Sequence, residues 1–257
     1  MKLLIKLGGT LLDSADSRHR LAREITQVSQ DPDLRIVVVH GGGKQMTRFL
    51  AERGIESRFV NGLRVTTPEV IDAVVKVFAG SVNADLVTAF RAAGARPVGL
   101  TGLDAGLVDA EILSPELGQV GKPIRSDVRL LNLLTDESYL PVVACVAGDP
   151  QGAIYNVNAD QMAVACAVAF QADKLLFLTD VDGVRDSSGQ ILDSLTSKEA
   201  LGLIREGIAT GGMQAKLEAA MEAVRHGVGE VRIAPGALAG VVAQLLHLSR
   251  VGTRLTA

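Results

Sequence analysis

The sequence predicts an α/β fold in which helices cover both faces of a mainly parallel sheet. Three observations carry that prediction. Short apolar runs alternate with longer amphipathic stretches. The apolar runs are continuous in Val, Ile and Leu rather than interleaved with polar residues. No internal repeat, low-complexity segment or Ser/Gly-rich linker interrupts the 257 residues. Strands buried on both faces need apolar side chains at successive positions, the condition inside a parallel sheet flanked by helices. A chain of this length stands at the upper edge of one domain, so one α/β domain, or two lobes sharing a sheet, is expected.

In order, the strand-like runs are residues 3–7, 35–40, 97–100, 140–146, 174–179 and 230–234. The helical stretches between them are 16–29, 44–53, 68–93, 160–171 and 213–226. Residues 107–126 differ, because Gly118, Gly121 and Pro123 separate short apolar pieces, and they read as a hairpin or lid at the sheet's edge. The turn cluster Gly148-Asp149-Pro150-Gln151-Gly152 suggests a division into an N-terminal lobe, 1–150, and a C-terminal lobe, 151–257.

Composition excludes several function classes. With 47% apolar and 21% charged residues the chain is too apolar for disorder. A net charge of −3 gives no basic footprint for nucleic acid, and 3% aromatic residues without Trp leave little for base stacking. Cys145 and Cys166 lie in apolar runs without CxxC spacing, which reads as buried free thiols and excludes a disulfide framework. The N-terminal apolar run is broken by Lys6 and closed by Gly8-Gly9, too short for a secretory signal. The longest apolar stretch, Met162 to Phe170, falls far below the ~20 residues that span a bilayer. A soluble cytoplasmic protein is expected, with no nucleic-acid or membrane partner.

Ligands of open α/β sheets bind beyond the carboxyl ends of the strands, so residues out of place there are informative. Lys6 interrupts an apolar strand just before Gly8-Gly9; it either receives an anion or snorkels from an edge strand. His40-Gly41-Gly42-Gly43-Lys44 follows a strand and opens a helix, and three glycines exceed what a tight turn needs, giving an anion cradle of N–H groups. His40 reads as a structural histidine. Arg64, within Asn61-Gly62-Leu63-Arg64-Val65-Thr66, either clamps a carboxylate or is surface filler. Asn158 fits an N-cap and Asp160 the helix dipole, whereas Asn156 has no such structural excuse. Thr179-Asp180-Val181-Asp182-Gly183 gives one strand a polar tip. Thr210-Gly211-Gly212-Met213 leads to Lys216, read as a first-turn cation opposing the helix dipole unless an anion is bound. Neither GxxxxGK[ST] nor GxGxxG occurs. Two awkward lysines, an aspartate to place them and glycine-rich turns suggest phosphoryl transfer, which asks a protein chiefly for positioning and positive charge.

These motifs, in this order and at these spacings over essentially the whole chain, resemble the amino acid kinase family. The resemblance implies a three-layer αβα sandwich on an open, mainly parallel sheet of eight strands. It also implies a phosphotransferase that uses magnesium-bound ATP to phosphorylate the γ-carboxylate of N-acetyl-L-glutamate, the second step of arginine biosynthesis. On that basis Lys6 and Lys216 stabilise the transferring group and Asp160 organises both. Gly8, Gly9, Gly42 and Gly43 offer backbone donors, Arg64 grips the α-carboxylate and Asn156 helps hold the acetamido acid. Thr179, Asp180, Val181, Asp182, Gly183, Val184, Arg185, Ile208, Ala209, Thr210, Gly212 and Met213 line the nucleotide. Magnesium arrives on ATP with no protein ligand assigned, and residues 107–126 form the lid over the amino acid.

The chain departs from arginine-inhibited members, which carry an N-terminal helix ahead of the first lysine; a homodimer insensitive to arginine is therefore expected. The helix 68–93, with Val70, Val74, Val77 and Phe78, is the expected dimer element. Rival readings are a kinase for N-acetylaminoadipate or a carrier-linked amino acid, with a wider and more basic rim, and a silent sensor on the same fold. A NAD-dependent dehydrogenase would need the missing glycine fingerprint.

Overall fold

The computed structural model describes residues 1–247 and 250–256. Its N-terminal half runs β1 (Lys2–Leu7), α1 (Ala15–Val28), β2 (Arg35–His40), α2 (Gly43–Ala51), the small hairpin β3 (Phe59–Val60) and β4 (Leu63–Arg64), and α3 (Pro68–Val74). A π-helical stretch, Val75–Val82, joins α3 to α4 (Asn83–Ala92), followed by β5 (Pro97–Thr101), β6 (Val108–Ile112), β7 (Val120–Ser126), α5 (Arg129–Asp136), β8 (Leu140–Ala144) and β9 (Val146–Gly148). The second half runs β10 (Ile154–Val157), α6 (Ala159–Phe170), β11 (Lys174–Thr179), β12 (Ser194–Thr196), α7 (Ser197–Arg205), α8 (Gly211–Arg225), β13 (Glu230–Pro235), α9 (Val241–Leu246) and β14 (Thr253–Thr256).

Eight strands form the main sheet in the order β12-β14-β13-β11-β1-β2-β8-β5, and only β13 and β14 pair antiparallel. Helices α1, α4 and α9 pack together on one face, and α6, α7 and α8 on the other. Leu3, Leu4, Ile5 and Leu7 of central β1 are wholly buried, each contributing ~1.5–3 kcal/mol relative to exposure. The first half of the chain supplies β1, β2, β8 and β5, the second half the other four, and the seam is the β1–β11 pair. Local chemistry fixes the helix ends: Ser14 caps α1, Thr67 with Pro68 starts α3, and Thr196 with Glu199 forms a capping box on α7.

The six expected strands are all present with ends shifted by a residue or so, except that the run 140–146 divides. Cys145 leaves the sheet, its N–H donating to the His40 carbonyl, and the chain re-enters a second sheet as β9. The hairpin 107–126 forms, but not at the edge of the main sheet. Its strands β6 and β7 join β9 and β10 in a small closed sheet, with a bulge where Pro123, lacking an N–H, faces Ala110. Residues Val70, Val74, Val77 and Phe78 are buried in the protein's own core, so they are not the dimer seam that their spacing suggested. Among the described residues no helix is long and apolar enough to cross a membrane. Both cysteines are free and buried, and burial pushes each thiol up to about 12.

Candidate active site

The carboxyl ends of β1, β2 and β11 lie side by side, so the turns that follow them open into one space. It is a cleft of about 370 Å³ lined by Lys6, Gly8, Thr10, the three glycines 41–43, Lys44, Thr47, Phe59, Arg64, Ala159, Thr179, Asp180 and Lys216. Parallel register aligns Lys6 of β1 with Val39 of β2 and Phe177 of β11. Lys6 is therefore an internal residue of a central strand rather than an edge, and its side chain is 7% exposed.

Asp160 receives it. Asn158 caps α6, its side-chain oxygen accepting the N–H groups of Asp160 and Gln161, which fixes the first turn under the cleft. The Asp160 carboxylate is 2.8 Å from the Lys6 ammonium through Oδ1 and 3.4 Å from that of Lys216 through Oδ2. The short Lys6 contact is a charge contact outside aligned hydrogen-bond geometry, while Lys216 donates a hydrogen bond. Burial pushes the Asp160 carboxyl up, but the two ammonium groups together hold it below the ordinary carboxylate range. One carboxylate therefore faces two cations, leaving net positive charge in the cleft. Lys216 lies in the second turn of α8, which starts at Gly211, so its placement is owed to Asp160 rather than to a conflict with the helix dipole.

Gly41 and Gly42 are packed closely, where a side chain at Gly42 would come within 2.9 Å of Phe78, while Gly43 faces open space. Among the described residues no protein acceptor takes the N–H groups of Gly42 and Gly43, which stay free for a ligand. Gly8 differs from expectation: its N–H donates to the Leu178 carbonyl at 2.8 Å, so it offers close approach and not a donor. Gly9 begins a 3₁₀ turn, Gly9–Leu12. Arg64 is 8% exposed, with its guanidinium over the Phe59 ring. It donates to the hydroxyls of Thr47 and Ser57 and to the Gly43 carbonyl, but no carboxylate among the described residues pairs with it. Desolvation lowers its pKa from the usual arginine value, the mark of a buried cation without an anion.

Of the other expected residues, Thr179 and Asp180 join this lining and the rest stand outside it. Asn156, on β10, donates to Thr66 at 3.0 Å beyond the Arg64 end. Thr179 and Asp180 reach the cleft; burial raises the Asp180 carboxyl, but the hydroxyls of Thr179 and Thr10 and the Lys216 charge bring it net below normal. Val181 and Asp182 are exposed, Gly183 and Val184 pack on Thr253, and Arg185 pairs with Asp182. Ile208, Ala209 and Thr210 lead into α8, whose first turn holds Gly212 and Met213, and no side chain caps that helix. Thr10, Thr47 and Phe59 line the cleft without having been singled out. Thr47, one turn beyond Gly43, is the only one whose spacing offered a clue.

The amino acid kinase family profile matches residues 1–235. An acetylglutamate kinase of Solibacter usitatus is 60% identical over 255 residues, 99% of each chain. A solved Streptococcus mutans protein is 30% identical at a TM-score of 0.85, over 100% of this chain and 98% of that one. The N-acetylglutamate synthase of Neisseria gonorrhoeae, solved with coenzyme A and N-acetyl-glutamate, is 26% identical at a TM-score of 0.88, over 100% of this chain and 59% of that one.

His40 is wholly buried, and desolvation lowers its pKa from 6.5 to about 4, the Gly41 carbonyl only partly opposing this. A depressed histidine pKa contributes stability that is present above the unfolded value and lost as pH falls through the folded one. Between about pH 6.5 and pH 4, the unfolding free energy should therefore drop by on the order of 3 kcal/mol from this group. Urea unfolding across that range checks it, and His40→Gln should lack this component of the slope.

Proposed function

The chain belongs to the amino acid kinase family, and from that premise we propose that it transfers the γ-phosphoryl group of ATP to the γ-carboxylate of N-acetyl-L-glutamate, forming N-acetyl-L-glutamyl 5-phosphate for arginine biosynthesis in the cytoplasm. One observation carries the chemistry: two lysines from opposite halves of the chain, one on β1 and one on α8, meet a single buried aspartate at the mouth of the cleft. The 60% identity to an acetylglutamate kinase across the whole chain supports the acceptor.

In this reading an oxygen of the γ-carboxylate attacks the γ-phosphorus. A new O–P bond forms, the bond to the bridging oxygen breaks, and its electron pair leaves on ADP. The acceptor is ionised near neutral pH, its ordinary pKa being about 4, so no proton moves and no general base is required. Lys6 and Lys216 stabilise the charge spread over the transferring group, and Asp160 holds them apart from each other and in place. The free N–H groups of Gly42 and Gly43 donate to the acceptor or phosphoryl oxygens. Arg64, a buried cation lacking an anion, takes the α-carboxylate bidentately, and Asn156, steadied by Thr66, faces the acetamido end.

Residues 1–150 take the amino acid, with the hairpin 107–126 as its lid, and residues 151–257 take ATP along the turns 179–185 and 208–213. Magnesium enters on the nucleotide and supplies charge neutralisation, and no residue here is assigned to it. The homodimer belongs to the same reading. With Val70, Val74, Val77 and Phe78 in the core, the contact we propose for it is the exposed outer side of the 68–92 helical segment.

Trapping the product with hydroxylamine tests the reaction. A hydroxamate should form strongly from N-acetylglutamate and weakly from glutamate, aspartate and N-acetylaminoadipate; preference for another acid would discard the acceptor and keep the chemistry. Lys216→Ala should lower kcat by about a hundredfold or more with KM values nearly unchanged, because its interaction is realised mainly in the transition state. Arg64→Ala should raise KM for the amino acid at least tenfold, by about 1.4 kcal/mol or more, and leave that for ATP alone. Light scattering should give twice the chain mass, and a monomer would remove the dimer.

A further inference from the structure

His40 and Asn83 are buried polar residues that the reaction as described does not use. Asn83 is the first residue of α4, where the π-helical stretch ends, and π-helical turns often accompany functional sites. Its side-chain amide nitrogen donates to the Val142 carbonyl at 2.9 Å and lies 2.9 Å from His40 Nε2. A backbone carbonyl only accepts, so the group facing it is the NH₂, and Nε2 must accept from that same NH₂. The ring proton is then on Nδ1, which donates to the Gly41 carbonyl at 2.8 Å. Backbone acceptors at both ends thus fix one tautomer. The lowered pKa of His40 keeps the ring neutral at physiological pH.

The consequence lies in the next peptide bond. In a trans peptide the C=O and the following N–H point in opposite directions. Turning the Gly41 carbonyl toward buried His40 turns the Gly42 N–H away from it, and Gly42 lines the cleft with that N–H unclaimed by any described protein acceptor. The opposite side of this peptide is held by packing: Phe78 and Val82, from the π-helical stretch, stand where a Gly42 side chain would begin. Room for the Asn83 amide comes from Gly99, where an added Cβ would collide with Asn83 Oδ1.

We propose that Asn83 and His40 act as positioning residues, setting the Gly41–Gly42 peptide so that the Gly42 N–H is aimed in advance at the oxygen that gains charge during phosphoryl transfer. The proposal deepens the function argued above and rests on it. An N–H aimed before the reaction costs no reorganisation at the transition state, which is where such donors act. His40 touches no reacting atom.

Two substitutions separate positioning from mere structural support. The side-chain amide of Asn reaches the position of histidine Nδ1, and that of Gln the position of Nε2; both remove the ring and should lower thermal stability to a similar degree. His40→Asn keeps a donor for the Gly41 carbonyl and should retain kcat within about threefold. His40→Gln has its amide at the Nε2 position, accepting from Asn83, so the Gly41 carbonyl loses its donor and kcat should fall at least tenfold, with KM for ATP within about twofold. Equal kcat in the two variants would overturn the proposal, since a purely structural histidine predicts equal damage. In parallel, ¹⁵N NMR of the wild-type ring should find the proton on Nδ1; a proton on Nε2 overturns the proposal whatever the kinetics. A wild-type protein that forms no hydroxamate from any acid would refute the function reading, and the ring tautomer would then decide the geometry by itself.

Discussion

The structure is organised around one constraint: Lys6, a cation inside the central strand of an eight-stranded sheet, needs an anion. Without Asp160, the ammonium would be stranded among Ile5, Leu7 and the flanking strands, and removing one partner of a buried ion pair costs about 3–5 kcal/mol. Much of the second half serves that need. Asn158 caps α6 and thereby sets the turn that carries Asp160, and α6 packs across β1 and β2 to bring the carboxylate to the strand end. Lys216 then arrives from α8, which packs along α6, and shares the same carboxylate.

That arrangement explains why the cleft lies on the seam between the two halves of the sheet. Lys6 comes from the first half and Asp160 with Lys216 from the second, so the charged cluster also bridges them. A site built this way responds to any change in the relative placement of the halves, which gives a closing motion a direct route to the chemistry. At the outer end Arg64 holds a second unbalanced positive charge. The cleft is thus cationic at both ends with free backbone donors between them, a layout matched to an acceptor with two carboxylates.

The glycines divide by role once their surroundings are visible. Gly42 and Gly99 are small because Phe78 and Asn83 occupy the space beside them, Gly8 because the Leu178 carbonyl does. The turn at 41–43 keeps the N–H groups of Gly42 and Gly43 for a ligand. The apolar face of the 68–92 helical segment is used inward, closing the core and bracing that turn, and so cannot serve an interface as well.

Much of this was legible in the chain itself. Continuous apolar runs revealed the central strands because two-sided burial leaves no polar position, and Lys6 stood out for the same reason. The glycine triplet announced a backbone exposed to a ligand. The strands β10, β12 and β14 left no such trace, being short and held by their neighbours rather than by their own pattern, and the hairpin's true partners, β9 and β10, were equally hidden. Nor did sequence separate Gly8, whose N–H the sheet takes, from Gly42, whose N–H is free. It also placed Lys216 a turn too early and read as an interface the apolar positions that fill the core. Local pattern records how deeply a segment is buried and which backbone shapes it tolerates, and this much the sequence determined alone. Which carboxylate meets which lysine, which tautomer a buried imidazole holds and which peptide N–H remains unclaimed are set by distances of a few ångströms between segments remote in the chain, and only tertiary packing decides those.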